Sequence, residues 1–315
     1  MPYYCAQGVF ARMYTKTGSG QQDFTSGADT YEFVRESLRK EGTIAFADGI
    51  RGTRSQPYER ARKGPSYIGG SVHFNPDPAM LDKWLERSFG ASPTGTDPLT
   101  FAVSEGLPTF GVLVDRVTRN FRYNDMMVNQ MVIAGRKTAA GQQPDVINMS
   151  IEMYGKSRDQ NVSGPSTAVD LNVSANAAPY IFEDATVTML GVTREVFNVM
   201  VRVHNHLHIR TSNSLTPTMI CPGGRTVDLQ CSLPYTSNEV DLLDQNVTGS
   251  LSAQLKFTNG TMSLTLDFAA LQVANDDPVV SGKSEITLSL HGIARSVGIT
   301  ATTGTREVVA TNDKT

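Results

Sequence analysis

The stretch FAVSEGLPTFGVLVD, residues 101–115, decides how this chain is read. Phe101 and Val103 alternate with small or polar residues before Gly106, and Phe110, Val112 and Val114 alternate after it. Period-two alternation rich in β-branched and aromatic residues is the mark of a strand with one buried face. The pattern returns in LKFTNGTMSLTLDFA, residues 255–269. Aligned on Gly106 and Gly260, Phe101 and Val103 fall on Leu255 and Phe257. Phe110, Val112 and Val114 fall on Leu264, Leu266 and Phe268. A one-residue slip would turn every side chain to the wrong face, so the preserved set reads as one hairpin occurring twice. Asn259-Gly260 is itself a strong two-residue hairpin signal, because both residues tolerate positive φ.

The resemblance extends outward from these stretches. SVHFNPDPAMLDKWLERSFG (71–90) parallels TVDLQCSLPYTSNEVDLLDQNVTG (226–249): a short strand, a Pro-containing turn, then a helix ending near Gly. In the first, Asp77 stands at the cap, Pro78 at the first helical position and Gly90 just past the end. Leu81, Trp84 and Leu85 form its apolar stripe. Upstream, GIRGTRS (49–55) parallels HIRTS (208–212); downstream, VINMSIEMYGKSR (146–158) parallels EITLSLHGIARS (285–296). Four blocks recur in one order. The chain therefore reads as mainly β, with two tandem copies of one domain, each with a short flanking α-helix. The first copy spans 29–165 and the second 166–300, joined in the polar stretch near 160–180.

Residues 1–28 and 301–315 are rich in Gly, Ser, Thr and Gln and read as extended arms. The loop RKTAAGQQPD (136–145) is a further candidate arm. A second helix is expected over DTYEFVRESLRKEG (29–42), capped by Asp29 or Thr30, with Tyr31, Val34 and Leu38 on one face. The core anchors are expected to be Trp84, Leu81, Leu85, Phe101, Val112, Val114, Leu255, Phe257, Leu266 and Phe268.

Composition narrows the function classes. The 315 residues are 39% hydrophobic and 19% charged, enough for real cores and too few charges for a disordered chain. A net charge of −3 lacks the positive excess with which proteins grip phosphate backbones. Cys5, Cys221 and Cys231 form no CxxC pair and read as free thiols of a reducing compartment. The opening MPYYCAQGVFARMY has no basic-then-apolar leader pattern, and no run approaches the roughly 18 apolar residues of a membrane span. There is no P-loop, GxGxxG after a strand, GxSxG or HExxH. Asp276-Asp277 sits in a turn-like stretch and reads as a solvated turn. No cofactor or catalytic residue is expected.

One cluster invites a chemical reading. In a continuous strand, Arg202, His204, His206, His208 and Arg210 share one face. Neighbouring histidines there could hold a metal. His204 and His208 would stand roughly 13 Å apart, however, against metal bonds of about 2 Å. The His-x-His pair resembles the cupin motif, but Arg210-Thr211-Ser212-Asn213 follows where that motif continues with Glu. The reading adopted is a polar strand face turned to solvent, to a lumen or to a subunit interface.

GTIAFADGIRGTRSQPYERARKGPSYIGGSVHFNPDPAMLDKWLERSFG (42–90) is similar to the N-terminal part of siphophage tail tube proteins. The shared marks are a Gly-Ile-Arg-Gly turn, a Gly-Gly before a strand, and a Pro-started helix ending in Phe-Gly. The resemblance implies β-sandwich or partial-barrel domains whose sheets continue between neighbours into a barrel around a lumen. It also implies stacked rings that deliver DNA, assembly in a bacterial cytoplasm, and residence in the virion tail with other tail proteins. DNA would pass without sequence-specific binding. Two copies per chain let three chains make a pseudo-sixfold ring, with six chains the alternative. Another virion component (capsid or decoration) and a β-sandwich adhesin module are the competing readings.

Overall fold

The computed structural model describes residues 11–46, 55, 58–138, 141–160, 162, 178–237, 239–244, 251–273, 277–278, 280, 285–297 and 306–315. Cys5, the Gly-Ile-Arg-Gly turn and most of the expected join at 160–180 lie outside these residues, as does part of the 136–145 loop. The described chain is mainly β. Its first part runs β1 (Arg12–Thr17), β2 (Asp29–Tyr31), β3 (Arg35–Glu36), β4 (Arg39–Phe46), β5 (Ala61–Phe74), α1 (Pro78–Phe89), β6 (Leu99–Ala102), β7 (Phe110–Asp115), β8 (Asn120–Arg136), β9 (Asn148–Gly155) and β10 (Ser157–Gln160). Its second runs β11 (Ala185–Met189), β12 (Val192–Arg194), β13 (Asn198–His204), β14 (His208–Arg210), β15 (Met219–Cys221), β16 (Thr226–Pro234), α2 (Val240–Asp244), β17 (Leu251–Asn259), β18 (Met262–Val273), β19 (Thr287–Ala294) and β20 (Val309–Asp313).

Pairing is antiparallel throughout. In the first part, β2, β1, β7, the N-terminal half of β8 and β10 are successive neighbours. The C-terminal half of β8 instead joins β9, β5 and β4. The change falls between Met126, paired with β7, and Met127, paired with β9, and a bulge follows between Val128 and Gln130. Bulges bend a strand and let it serve two sheets. In the second part, β12, β11, β17, β18 and β20 are successive neighbours, and the C-terminal end of β18 joins β19, β16 and β13.

Two joints tie the parts together. Strand β13 lies along β8, with Asn198 to His204 opposite Arg136 to Gln130. Strand β20 lies between β18 and β6. The first joint makes a continuous wall in the order β4, β5, β9, β8, β13, β16, β19, β18.

Helix α1 forms as its sequence dictates. The Asp77 Oδ1 accepts from the Met80 amide at 3.0 Å, capping the first turn. Gly90, at φ +89, ends the helix in the left-handed region that Gly enters freely. Trp84 is fully buried among Tyr31, Phe74 and Phe110, with ring centroids 5.3, 5.1 and 6.0 Å away. Leu81, Leu85, Phe101, Val112, Val114, Leu255, Phe257, Leu266 and Phe268 are buried in the same apolar cluster.

Several expectations are corrected. Residues 29–42 form no helix: they supply β2, β3 and the start of β4. Tyr31 and Leu38 are buried but Val34 is 60% exposed, so the three do not share a face. Pairing with β1 and β5 outweighs helix propensity, and Arg116 fixes Glu36 through bonds of 2.7 and 3.0 Å. The 1–28 segment is not wholly an arm, because β1 pairs with all of β7 and buries Met13 and Tyr14. Likewise 301–315 contains β20, with Ala310 and Asn312 fully buried. No hairpin forms across Gly106: β6 pairs with β20, and β7 turns into β8. The hairpin at Asn259-Gly260 does form, with Asn259 opposite Met262 and Gly260-Thr261 as its loop. Cys221 and Cys231 are free thiols.

Candidate functional site

The eight-strand wall has one apolar and one polar face, set by alternation along its strands, except at β4, which is exposed along nearly its whole length. Val199, Val201 and Val203 of β13 are buried, while Asn198, Met200, Arg202 and His204 face the other way. Met149, Ile151 and Met153 of β9 are buried, opposite Ser150, Glu152 and Tyr154. In β16 and β19, Leu229, Cys231, Leu288 and Leu290 point inward, against Gln230, Ser232, Ser289 and His291. Burial pushes the Cys231 thiol up to about 12, which keeps it protonated and inert.

Charges on the polar face are held by partners. Arg202 Nε donates to Asp228 Oδ2 at 2.8 Å, and its Nη2 reaches the same oxygen. His291 Nε2 lies 4.0 Å from the other carboxylate oxygen of Asp228. Glu152 accepts from the Tyr154 hydroxyl at 2.8 Å and from the Asn129 carboxamide at 3.2 Å. Burial and then this bond push the Tyr154 hydroxyl up to about 12. Arg39, exposed, and Glu41, half-buried, pair at 2.6 Å.

The five residues singled out in the sequence are only partly gathered. Burial alternates all the way from Arg202 to Arg210, but the strand does not continue. β13 ends at His204, His206 has φ +45, and His208 and Arg210 belong to β14, which among the described residues pairs with β15 alone. Arg202 and His204 lie on the wall. The His206 ring stacks on that of His204, centroids 3.7 Å apart. Burial, then the neighbouring His206, hold His204 below the ordinary histidine range. His73 of β5 is likewise lowered, by burial and then by Arg35. Among the described residues no group of three His, Cys, Asp or Glu is placed to hold a metal.

Sequence reading missed the clasp that makes the wall continuous. Asn205, 2% exposed, donates from its carboxamide to the carbonyls of Ser88 and Val128, each at 3.1 Å. Its amide donates to the Asn129 carbonyl at 2.7 Å, and Asn129 Oδ1 accepts from the Leu207 amide at 2.9 Å. A buried Asn just after an apolar strand is the only local signal, and its partners are distant in sequence.

The two edges of the wall differ from its middle. No strand among the described residues covers the outer side of β4. At the other edge, β17 begins at Leu251, opposite Leu271, and among the described residues Gln272 and Val273 of β18 have no strand partner on that side. Eight alternating strands give these two edges opposite chain directions. The ends of the strands differ too. At one end the β4–β5 hairpin projects, with Ile44 61%, Phe46 62% and Tyr58 89% exposed. At the other lie the loops carrying Asp145, Glu183 and Glu195.

No curated protein matches the chain. A family model described as phage tail tube protein matches residues 15–301.

Proposed function

The chain belongs to the phage tail tube protein family, and from that premise we propose that it closes into rings that stack as a hollow tube. It is a structural component of the virion tail and not an enzyme. One observation carries the ring: the wall's two edges, open among the described residues, run in opposite directions. A second copy can therefore add its β4 to the first copy's β18 edge with antiparallel pairing, as β13 adds to β8 within the chain. Repetition closes a barrel and removes the edges, which are otherwise sites of uncontrolled association. Head-to-tail contacts of this kind make rings when the rotation closes.

The same reading takes the chain as two tandem copies of one domain, 29–165 and 166–300, with additions at each end. It is supported by the common pairing order: β2, β1, β7, β8, β9, β5, β4 in one part and β12, β11, β17, β18, β19, β16, β13 in the other. It is also supported by a helix after β5 and after β16. Three chains then give a pseudo-sixfold ring. The polar face lines the lumen, with Arg202 and His204 on it and His208 and Arg210 at its rim. Paired charges offer a passing phosphate backbone few free cations, which favours movement over retention.

Negative-stain electron microscopy of concentrated protein, with mass in solution, tests this. Rings or hollow filaments built from three chains are expected. Six chains per ring would overturn the count, and a closed dimer would overturn the tube.

A further inference from the structure

We infer that the β14–β15 hairpin is an acid-released brace: it holds the end of β5 from the second part of the chain, and the stacked rings of His204 and His206 at its root control the hold. The hairpin is an excursion from the wall. The chain leaves β13 at His204 and returns to β16 at Thr226, which lies opposite His204. Between them His208, Ile209 and Arg210 pair with Cys221, Ile220 and Met219. Leu207 and Ile220 pack with Met127 and Tyr154, of β8 and β9, in a small apolar cluster separate from the main core. The tip reaches further. The Leu215 carbonyl accepts from the Ser66 amide at 2.9 Å and from the Ser66 hydroxyl at 3.3 Å. β5 makes its last pairing with β9 at Ile68, opposite Gly155. Leu215 thus satisfies the amide of a buried residue two positions past the reach of β9. β4 is paired with β5 here, Gly42 opposite Ser66, and β4 is the edge through which the proposed ring closes. The second part of the chain steadies that edge.

A two-stranded hairpin is marginal in water by itself, and an element held by so few contacts opens at lower cost than the whole fold. Its root decides when. The Gly223 amide donates to the Asn205 carbonyl at 3.0 Å, and His206 Nε2 meets Thr226 Oγ1. The His206 ring lies on that of His204, centroids 3.7 Å apart. Two charged rings at that separation repel, and Arg202 on β13 adds to the repulsion. Glu152 on β9 and Asp228 on β16 favour a proton at His204. Both are already engaged: Glu152 accepts from Tyr154 and Asn129, and Asp228 from Arg202, with His291 of β19 4.0 Å away. β8 sets the uncharged Gln130 opposite His204. On the hairpin side a third imidazole, His208, approaches Gly223, and Arg225 is paired with the Ser104 carbonyl and Glu307. Burial, then His206, hold His204 below the ordinary 6.5. The root is therefore whole above about pH 6.5 and loosens as pH falls toward the lowered folded value.

Hydrogen exchange of the full chain, read by mass spectrometry at pH 7.5 and 5 and corrected for the intrinsic rate at each pH, tests this. Exchange reads the brace whether or not rings form. Protection of 207–221 and of 61–68 is expected to fall about tenfold between the two pH values, while β16 and β19 keep theirs. His206→Gln removes the stack at an exposed position and should hold protection of both segments nearly constant. Ser66→Pro deletes the donor to Leu215 and should loosen the tip at both pH values. Equal protection at pH 7.5 and 5 in the parent would overturn the inference. So would an equal fall in His206→Gln, which would assign the acid response to Glu152, Asp228 or His291. Unchanged protection of 207–221 in Ser66→Pro would remove the brace itself.

Discussion

Asn205 and Asn129 bind each other's surroundings across the joint between the two parts of the chain. The Asn205 amide donates to the Asn129 carbonyl at 2.7 Å, while the Asn129 carboxamide oxygen takes the Leu207 amide at 2.9 Å. The Asn205 carboxamide meanwhile reaches the last turn of α1 at Ser88. One pair of side chains thus sets β13 on β8 and α1 on both.

Asn205→Ala removes two buried donors and leaves the Ser88 and Val128 carbonyls without them. A buried group stripped of its partner costs about 1–3 kcal/mol. Denaturant unfolding followed by fluorescence is expected to show a loss of about 2 kcal/mol. A loss below about 0.5 kcal/mol would mean the clasp is incidental.

Trp84→Ala empties the space between Tyr31, Phe74 and Phe110. Replacing a buried Trp by Ala costs about 3–5 kcal/mol in transfer and cavity energy. Arg87 loses a stacking surface as well, since its guanidinium lies 5.2 Å from the Trp84 ring and 4.7 Å from Phe110. Thermal unfolding by circular dichroism should place this variant well below a Leu85→Val control.

Gly90→Ala should destabilise by about 1–3 kcal/mol, because the left-handed region is unfavourable for a side chain. The added Cβ would also fall 2.0 Å from the Gly106 carbonyl oxygen. The same measurement on Gly224→Ala, where nothing lies within 4 Å, is expected to show little change.

His73 and His204 both bind protons less readily when folded than the ordinary value of 6.5. The unfolded chain therefore takes up protons first as pH falls. Stability is full above about pH 6.5 and declines below it, toward the lowered folded values. Arg35 beside His73, and His206 and Arg202 beside His204, oppose the cation; Glu152 and Asp228 favour it at His204. Unfolding midpoints between pH 7.5 and 5 should fall for the parent and flatten for His73→Gln/His204→Gln. Parallel slopes would remove these histidines from the account.

What the sequence disclosed was whatever depends on neighbours along the chain. The alternation in β9, β16 and β18 and the cap-to-Gly frame of α1 are local, and each was readable. The 29–42 segment misled because its spacing suits a helix, while the deciding contacts come from β1, β5 and Arg116, some 14 to 80 positions away. The hairpin expected at Gly106 failed for the same reason: β6 is claimed by β20, more than 200 residues later. In the histidine cluster the alternation was legible, but the chain leaves the strand after His204 and passes through a left-handed backbone at His206, which the alternation does not announce.

The pairing of β20 with β6 has a consequence in time. The ribosome makes Leu99–Ala102 more than 200 residues before Val309–Asp313. At 5–20 residues per second, β6 waits about 10–40 s for its partner. The β13–β8 contact can close earlier in that interval. A growing chain therefore acquires its inner wall before its outer clasp, and its parts become one rigid piece only once β20 has been made.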